Sequence, residues 1–334
     1  MQITVVHPSE LGAAELATWH GFQAADPALR NPFLSPEFTV AVGRLRPHAR
    51  VAVLSDGAQI TGFFPFEQRR FGYGEPIAAG LTDCQGLVHA PDTDWDPQQL
   101  LRACGLSVWT FDHLVDGQKP FEPYQVMRAP SPIMDLEQGF DAYVATLRSR
   151  SPQLIRNIAY KRRKLAREVG AVRFVYDSRD HAALRTVRSW KSDQYRRTGR
   201  SDRFTWPGVT ELVENLLDTR GTAFRGVLSM LYAHDQPVAG FFLLCSDDVV
   251  VDWFPAYNPV FGKYSPGLLI RLQVAEAAAG AGVRYLDMSR GARDVYKQRF
   301  KSRDLVVAEG RVLRCSPAAA WHWARIAPVR RARQ

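Results

Sequence analysis

The residues whose types and spacing best suit chemistry lie in one stretch of the C-terminal half, Tyr257-Asn258-Pro259-Val260-Phe261-Gly262-Lys263-Tyr264-Ser265-Pro266-Gly267-Leu268-Leu269. A strand-like run over 249–254 precedes it and a helix-like run over 268–279 follows, so it reads as strand, loop and helix start. Ser265 is a good N-cap type, Pro266 suits the first helical position, and Gly267 leaves the next amide sterically open. Unpaired amides at such a start hold anions, each interaction contributing roughly 0.3–1 kcal/mol when exposed, and Lys263 adds a full positive charge. The stretch points to a phosphate-bearing ligand, set against the plainer reading that Ser-Pro-Gly only makes a good helix start.

Other chemistries find little support. The 8 His residues stand near no nucleophile elbow of the G-x-S-x-G kind, and no His, Asp and Glu group has metal-ligand spacing, so a covalent hydrolase and a metalloenzyme are disfavoured and no metal is expected. Cys84, Cys104, Cys245 and Cys315 are scattered, without disulfide or zinc spacing. The longest apolar run, 238–245, is too short to span a bilayer, and the N-terminal residues carry no secretory pattern, so the expected location is cytoplasmic.

Charge is unevenly spread. The net charge is +9; between Arg148 and Arg167 there are eight Lys or Arg and no acid, and Arg325, Arg330, Arg331 and Arg333 follow in the tail. Such patches favour a polyanionic partner: a nucleotide cofactor, an RNA, or peripheral contact with an anionic membrane face. On the helix starting at Ser151, Leu154, Ile158, Leu165 and Val169 share one face, leaving Arg156, Lys161, Arg163, Lys164 and Arg167 outward. That face either is merely solvated or meets an acidic glycan, a lipid-linked acceptor or a tRNA.

The elements that must position these residues come in a repeated order. A first strand over 2–6, helices over 13–24 and from Ser35-Pro36, and a hairpin across Ser55-Asp56-Gly57 make up the start. A Gly-rich section and a strand over 108–114 lead to Pro120, Pro123, Pro130 and Pro132, which read as an interdomain connection. Helices, a strand over 172–176, two more helices and a second hairpin then recur. Leu54-Ser55-Asp56-Gly57-Ala58-Gln59-Ile60-Thr61-Gly62-Phe63-Phe64 lies over Tyr232-Ala233-His234-Asp235-Gln236-Pro237-Val238-Ala239-Gly240-Phe241-Phe242, which suggests internal duplication. A strand pair around Glu309-Gly310 and an amphipathic, basic end complete the reading.

Asp141-x-Tyr143, the arginine-rich helix after Leu147, the Gly240 strand, Pro255-Ala256-Tyr257, Ser265-Pro266-Gly267, Asp287 with Gly291, and Tyr296-Lys297 together resemble GNAT-fold acyltransferases of the cellulose-biosynthesis (CelD/BcsL) type. Nearly the whole chain shares the likeness; Thr82-Asp83-Cys84-Gln85-Gly86 stands where that family tends to carry an Asp-Tyr pair. The GNAT pyrophosphate loop, a Gln or Arg followed by spaced glycines, is not present in full. The resemblance, which extends to Fem-type peptidyltransferases, implies an α/β (α+β) tandem GNAT-like acyl-CoA N-acyltransferase fold, two mixed sheets flanked by helices. Its parts would be 1–130, 131–316 with the donor site, and a basic tail over 317–334.

The implied activity is transfer of an acyl group from a CoA thioester to an amine or hydroxyl of a saccharide, cell-envelope or exopolysaccharide precursor. The alternatives are a Fem-like transferase using aminoacyl-tRNA, and a non-catalytic binding subunit of a polysaccharide-synthesis complex. Direct transfer needs an oriented nucleophile, a base, oxyanion donors and an acid for the leaving thiolate. Amides over 253–256 can supply the donors, Asp252 or Asp287 the base, and Tyr257 the acid. The resemblance places Lys297 beside the site, on the donor phosphate or the carbonyl oxygen; Lys263, Ser265, Gly267 and Leu268 would hold the donor. Asp83, Arg156, Arg163 and Trp190 are the expected acceptor contacts, the Trp190 helix with its Lys191, Asp193, Gln194 and Tyr195 lining the acceptor cleft unless Trp190 is simply core.

Overall fold

Each half of the chain lays down its strands in the same order. The structure, a computed structural model, describes residues 1–290 and 295–314. It divides into two units, one of Met1–Ala129 together with the described part of Val306–Gln334, the other Pro130–Leu305. The expected basic tail lies outside the described residues.

In the first unit, β1 (Gln2–Val6) is followed by α1 (Ala13–Ala25) and α2 (Pro36–Leu45), then by the hairpin β2 (Ala49–Asp56) and β3 (Gln59–Gln68). β4 (Tyr73–Pro76), the short β5 (Val88–His89), α3 (Pro97–Ala103) and β6 (Val108–Val115) come next. β1 to β4 pair antiparallel in sequence, β4 runs parallel to β6, and β5 pairs with β3. The strand that closes this sheet comes from the far end of the chain: β13 (Arg303–Leu313) pairs antiparallel with β6.

The second unit opens with the latter half of β7 (Gln125–Asp135), from Pro130 onward, followed by α4 (Gly139–Arg150) and α5 (Pro152–Glu168). β8 (Val172–Ser178), α6 (His181–Arg197), α7 (Val209–Asp218), β9 (Arg225–Ala233), β10 (Gln236–Cys245) and β11 (Val249–Tyr257) follow. α8 (Pro266–Gly280), β12 (Tyr285–Asp287) and α9 (Val295–Phe300) complete it. β8 to β11 are antiparallel neighbours, β11 runs parallel to β12, and β7 closes the sheet antiparallel to β12. Two helices separate the first two strands of each sheet and one helix precedes each parallel strand, so the duplication suggested by Gly-Phe-Phe extends to five successive strands, β1, β2, β3, β4 and β6 against β8 to β12.

The Pro-rich section contains the boundary between the two units, at Ala129 and Pro130, and is strand β7 from Gln125 onward; Pro130 and Pro132 precede Ile133–Asp135, the residues that pair with β12, so their missing amides cost that ladder nothing. One local reading is corrected. Glu309-Gly310 is no turn but part of the single strand β13, with an irregular register between Ala308 and Gly310. A Cβ at Gly310 would meet the Tyr124 carbonyl at 2.2 Å, so close approach of another backbone, not a bend, requires the glycine.

β10 explains the longest apolar run. Residues 238–245 are buried because they lie mid-sheet with both faces covered, which is why they read as continuous rather than alternating. Phe241 and Leu243 pack into a core with Leu269, Ile270 and Val274 of α8, each fully buried apolar side chain contributing about 1.5–3 kcal/mol. The first unit has its own aromatic core, in which Phe64, Trp109 and Phe121 meet at centroid distances of 4.9–6.4 Å.

Candidate active site

β11 and β12 part company. Only Val249, Val250 and Val251 pair with β12, and β12 ends at Asp287, while β11 continues to Tyr257. The far half of β11 thus has a free edge on the side where α8 begins. At the parting point β11 also bulges: Phe242 pairs with Phe254 but Leu243 with Asp252, so Trp253 is the extra residue. A cavity of 310 Å³ fills the gap, with Pro255, Ala256 and Tyr257 on one wall and Ser265, Gly267 and Leu268 on the other. Gln194 of α6, Phe241, Arg271 and Tyr296 complete the lining.

The corresponding gap in the first unit is closed by its own chain. β4 pairs with β6 only through Tyr73 and Gly74, and beyond them Gln85 takes up the edge of β6, bridged to Leu114. The Gln85 amide donates to the His113 carbonyl and the Gln85 carbonyl accepts from Val115, both at 2.9 Å. Its side chain is tied to Asp112 and to the amides of Asp112 and His113. Asp83, an expected acceptor contact, belongs to this plug, with its carboxylate 3.6 Å from His113 Nε2.

The helix start differs from its sequence reading. Ser265 occupies the N-cap position of α8 but does not cap it in the usual way: its backbone is left-handed (φ 53°, ψ 53°) and its side chain makes no cap bond. A 3-10 turn over Pro259–Tyr264 runs straight into α8, held by buried Phe261 and Tyr264, and Ser265 is forced into a conformation that costs an L-residue about 1–2 kcal/mol. The Leu268 and Leu269 amides return to the Ser265 carbonyl at 3.0 and 3.4 Å, so of the first α8 amides only Gly267 lacks a partner among the described residues.

Lys263 turns away to Glu168, 3.1 Å from its carboxylate, which also accepts from the Tyr264 hydroxyl at 2.8 Å. Tyr264 and Lys263 hold that carboxyl below the usual range. α5 packs on this loop, and Lys161 Nζ reaches the Lys263 carbonyl at 2.5 Å.

The expected bases are engaged elsewhere. Asp252 is buried against Arg271, with Oδ2 to Nη2 at 2.5 Å. Asp287 accepts from Ser131 Oγ at 3.1 Å and from the Ser289 amide at 2.8 Å. Lys297 is buried and donates to the Ser289 and Arg290 carbonyls at 3.0 and 3.2 Å, which ties it to the turn after β12. Asp252 Oδ1 has no hydrogen-bond partner among the described residues. Tyr257, 38% exposed, does line the cavity. Trp190 is half-buried on α6, one turn before Gln194. Arg156 is exposed on α5, and Arg163 lines a separate 650 Å³ cavity formed with α4 and α8. Gly291 of the sequence motif lies outside the described residues.

Arg271 escaped the sequence reading, and Lys191 was named there only as a neighbour of Trp190. Arg271 is 2% exposed, sits four residues after Gly267 on the same face of α8, and stacks at 5.1 Å from both the Phe241 and Tyr296 rings. Burial opposes its charge and Asp252 more than restores it. Its Nε and Nη1 have no hydrogen-bond partner among the described residues. The signal in the sequence was an arginine among the apolar residues 268–272 at the start of α8. Lys191, on α6, donates to the Pro255 carbonyl at 3.1 Å. Burial pushes it down to about 8, with Asp252 opposing and Arg200, Lys297 and Arg271 adding to the shift.

Residues 153–301, from α5 through α9 and including the cavity, match the family described as "Acetyltransferase (GNAT) domain". A tandem GNAT protein from the clavulanic acid biosynthesis pathway is similar in structure over 93% of this chain and 98% of its own, at 10% identity and a TM-score of 0.50. The fold is that of a tandem GNAT protein. The L-PGS structure from Bacillus licheniformis (9% identity, 93% and 96% covered, TM-score 0.58) and FemX (10%, 93% and 96%, 0.57) are similar too. No curated protein matches the chain in sequence. Among the described residues of this GNAT fold, no three His, Cys, Asp or Glu cluster to hold a metal, and no helix is long and apolar enough to cross a membrane.

Proposed function

We propose that this chain is an acyltransferase that moves an acyl group from a CoA thioester to an amine or hydroxyl of a saccharide or cell-envelope precursor. The observation that carries the reading is the cavity at the free edge of β11, opposite the start of α8, inside the segment that matches a GNAT acetyltransferase domain. Its 310 Å³ falls within the range of about 300–1,000 Å³ usual for small-molecule sites. The residues present fit such a donor: the Gly267 amide is unpartnered, and a Cβ there would enter space bounded only by Tyr257 at 3.9 Å. An envelope acceptor is supported by the resemblance of the motifs and by the likeness in fold to a lysylphosphatidylglycerol synthetase domain from Agrobacterium fabrum.

When bound, CoA supplies the activated acyl carbonyl. Gly267 and the 258–265 loop hold its phosphate end, and amides of β11 beside the Trp253 bulge face the developing oxyanion, where fixed donors act without reorganising. Tyr257 gives its proton to the departing thiolate. No Asp, Glu, His or Lys lines the cavity among the described residues, so an amine acceptor enters as the free base and gives up its proton to solvent water after attack.

The test is release of free thiol from acetyl-CoA, with and without amine acceptors, in the parent and in Tyr257→Phe. Acceptor-dependent release, lowered in the variant, supports the reading; no release with any acceptor rejects it. The exposed Arg156 and Arg163 of α5, the helix that touches the donor loop, favour a second reading, a Fem-like transferase fed by aminoacyl-tRNA. Turnover of aminoacyl-tRNA with none of acetyl-CoA would select it.

A further inference from the structure

The 650 Å³ cavity between α4, α5 and α8 has a chemistry of its own. Each helix turns an apolar stripe toward it at helical spacing: Phe140 and Val144 on α4, Ile155 and Ile158 on α5, Leu269 and Leu272 on α8. Ile158 and Leu269 are buried, but Phe140, Val144, Ile155 and Leu272 are only half-buried, so the three helices leave apolar wall in contact with water. Scattered exposed apolar residues mean little, whereas several lining one hollow mark a place for a ligand. α8 stands between this hollow and the cavity beside β11, to which it gives Gly267, Leu268 and Arg271 instead.

The charges at this hollow are uncommitted. Arg148, Arg162, Arg163 and Glu276 line it and are exposed, and among the described residues none of the four makes an ion pair or a side-chain hydrogen bond. Other cations of α5 are engaged: Lys164 and Arg167 lie by Glu168, and Lys161 reaches the Lys263 carbonyl. Three guanidinium groups against one carboxylate leave two positive charges, close to the charge of about −1.5 to −2 that a phosphate monoester carries at neutral pH. Exposed arginines can turn toward such a group, and their planar forks match its oxygens. Gln273 in the wall is neutral; its carboxamide oxygen has no partner among the described residues, and a half-turn about the last bond puts the amide N–H groups in its place.

The combination of apolar wall and free arginines narrows the occupant. An RNA backbone would meet the charges and leave the wall wet. A fatty acid would cover the wall and neutralise only one of the two charges. The chain's own end, 315–334, brings no acidic side chain to the arginines.

We propose that this cavity binds the end of a lipid phosphate, its chain against the apolar stripes of α4, α5 and α8 and its phosphate monoester at the exposed arginines. The site goes beyond the acyltransferase reading and does not rest on it.

The test is calorimetric titration of octyl phosphate, octanoate, octyl glucoside and inorganic phosphate into the full chain, the alkyl compounds below their micelle concentrations. Octyl phosphate should bind saturably and about tenfold or more tighter than each of the other three, because only it offers both chain and phosphate. Decyl phosphate should bind tighter again by about fivefold or more, since its two added methylenes also leave water. The combined variant Arg148→Gln, Arg162→Gln, Arg163→Gln should weaken octyl phosphate about tenfold while leaving octyl glucoside and the thermal midpoint nearly unchanged. Ala159→Phe, which places a ring on the cavity wall from an exposed position, should weaken octyl and decyl phosphate alike.

Octyl phosphate no tighter than inorganic phosphate overturns the proposal and returns the arginines to a polyanion such as RNA. Octanoate or octyl glucoside as tight as octyl phosphate overturns it too, leaving a plain apolar hollow. So does unaltered octyl phosphate binding by the folded triple variant. Loss of octyl phosphate binding at saturating acetyl-CoA would give the arginines to the donor and equally overturn it.

Discussion

Arg271 Nη2 lies 2.5 Å from Asp252 Oδ2, with both side chains 2% exposed, and this pair joins the middle of β11 to the first turns of α8. Two charges have been taken out of water beside the cavity, and each now depends on the other. Removing one partner of such a pair is far more costly than exchanging both.

Asp252→Asn should therefore destabilise the second unit by about 3–5 kcal/mol, read as a lower urea midpoint. Asp252→Asn with Arg271→Met should recover much of that loss. Were Asp252 instead the general base, the single variant would keep its stability and lose the alkaline or acid limb of its pH–rate profile.

Lys191 gives a pH signature of definite sign. Its folded-state pKa, about 8, lies below the ordinary 10.5, so between those values the unfolded chain binds more protons than the folded one. Stability contributed by this group rises as pH goes from about 8 to about 10.5, and below 8 the cost of keeping it charged is constant, on the order of 3 kcal/mol. Lys191→Met should raise the thermal midpoint at pH 7 and flatten that rise. A parent whose stability is flat across this window, or a variant that melts lower at pH 7, would contradict the assignment.

The duplicated glycines should respond unequally. A Cβ at Gly240 would lie 2.2 Å from Val187 and 2.6 Å from Met230 Sδ, whereas at Gly62 the nearest atoms are at 3.3 Å. Gly240→Ala should cost about 1–3 kcal/mol by overpacking, and Gly62→Ala distinctly less, as chemical denaturation of the two variants would measure.

Lys263 should matter little to donor affinity, since Glu168 already offsets its charge at an exposed site. Titration of acetyl-CoA into Lys263→Ala should give a constant within about threefold of the parent. A loss of tenfold or more would place the lysine on the phosphates after all.

Much of this was legible in the chain and some was not, for physical reasons. The strands, helices and Gly-Phe-Phe repeat carry period and turn chemistry, and Tyr257, Ser265, Gly267 and Leu268 are neighbours in sequence as in space, so the cavity's mouth could be read directly. Which face of a strand-end aspartate meets which helix cannot be read from spacing: Asp252 and Asp287 carry the residue type of a base, and only the fold commits them to Arg271 and Ser131. The same holds for Lys297, whose basic surroundings suggested a solvated or phosphate-bound side chain although it is buried under two carbonyls. The left-handed Ser265 was hidden because the local Ser-Pro-Gly signal is that of a capped helix, and the preceding 3-10 turn overrides it.

The central claim is that the β11 and α8 cavity holds a CoA thioester, and the most direct test is calorimetric titration of acetyl-CoA into the parent and into Gly267→Val. A Cβ at this position meets only Tyr257, at 3.9 Å, so the backbone site itself has room for a side chain. The account predicts saturable binding to the parent, weakened at least tenfold in the variant, with the thermal midpoint nearly unchanged. Equal affinity in both proteins, or none in the parent, would contradict it.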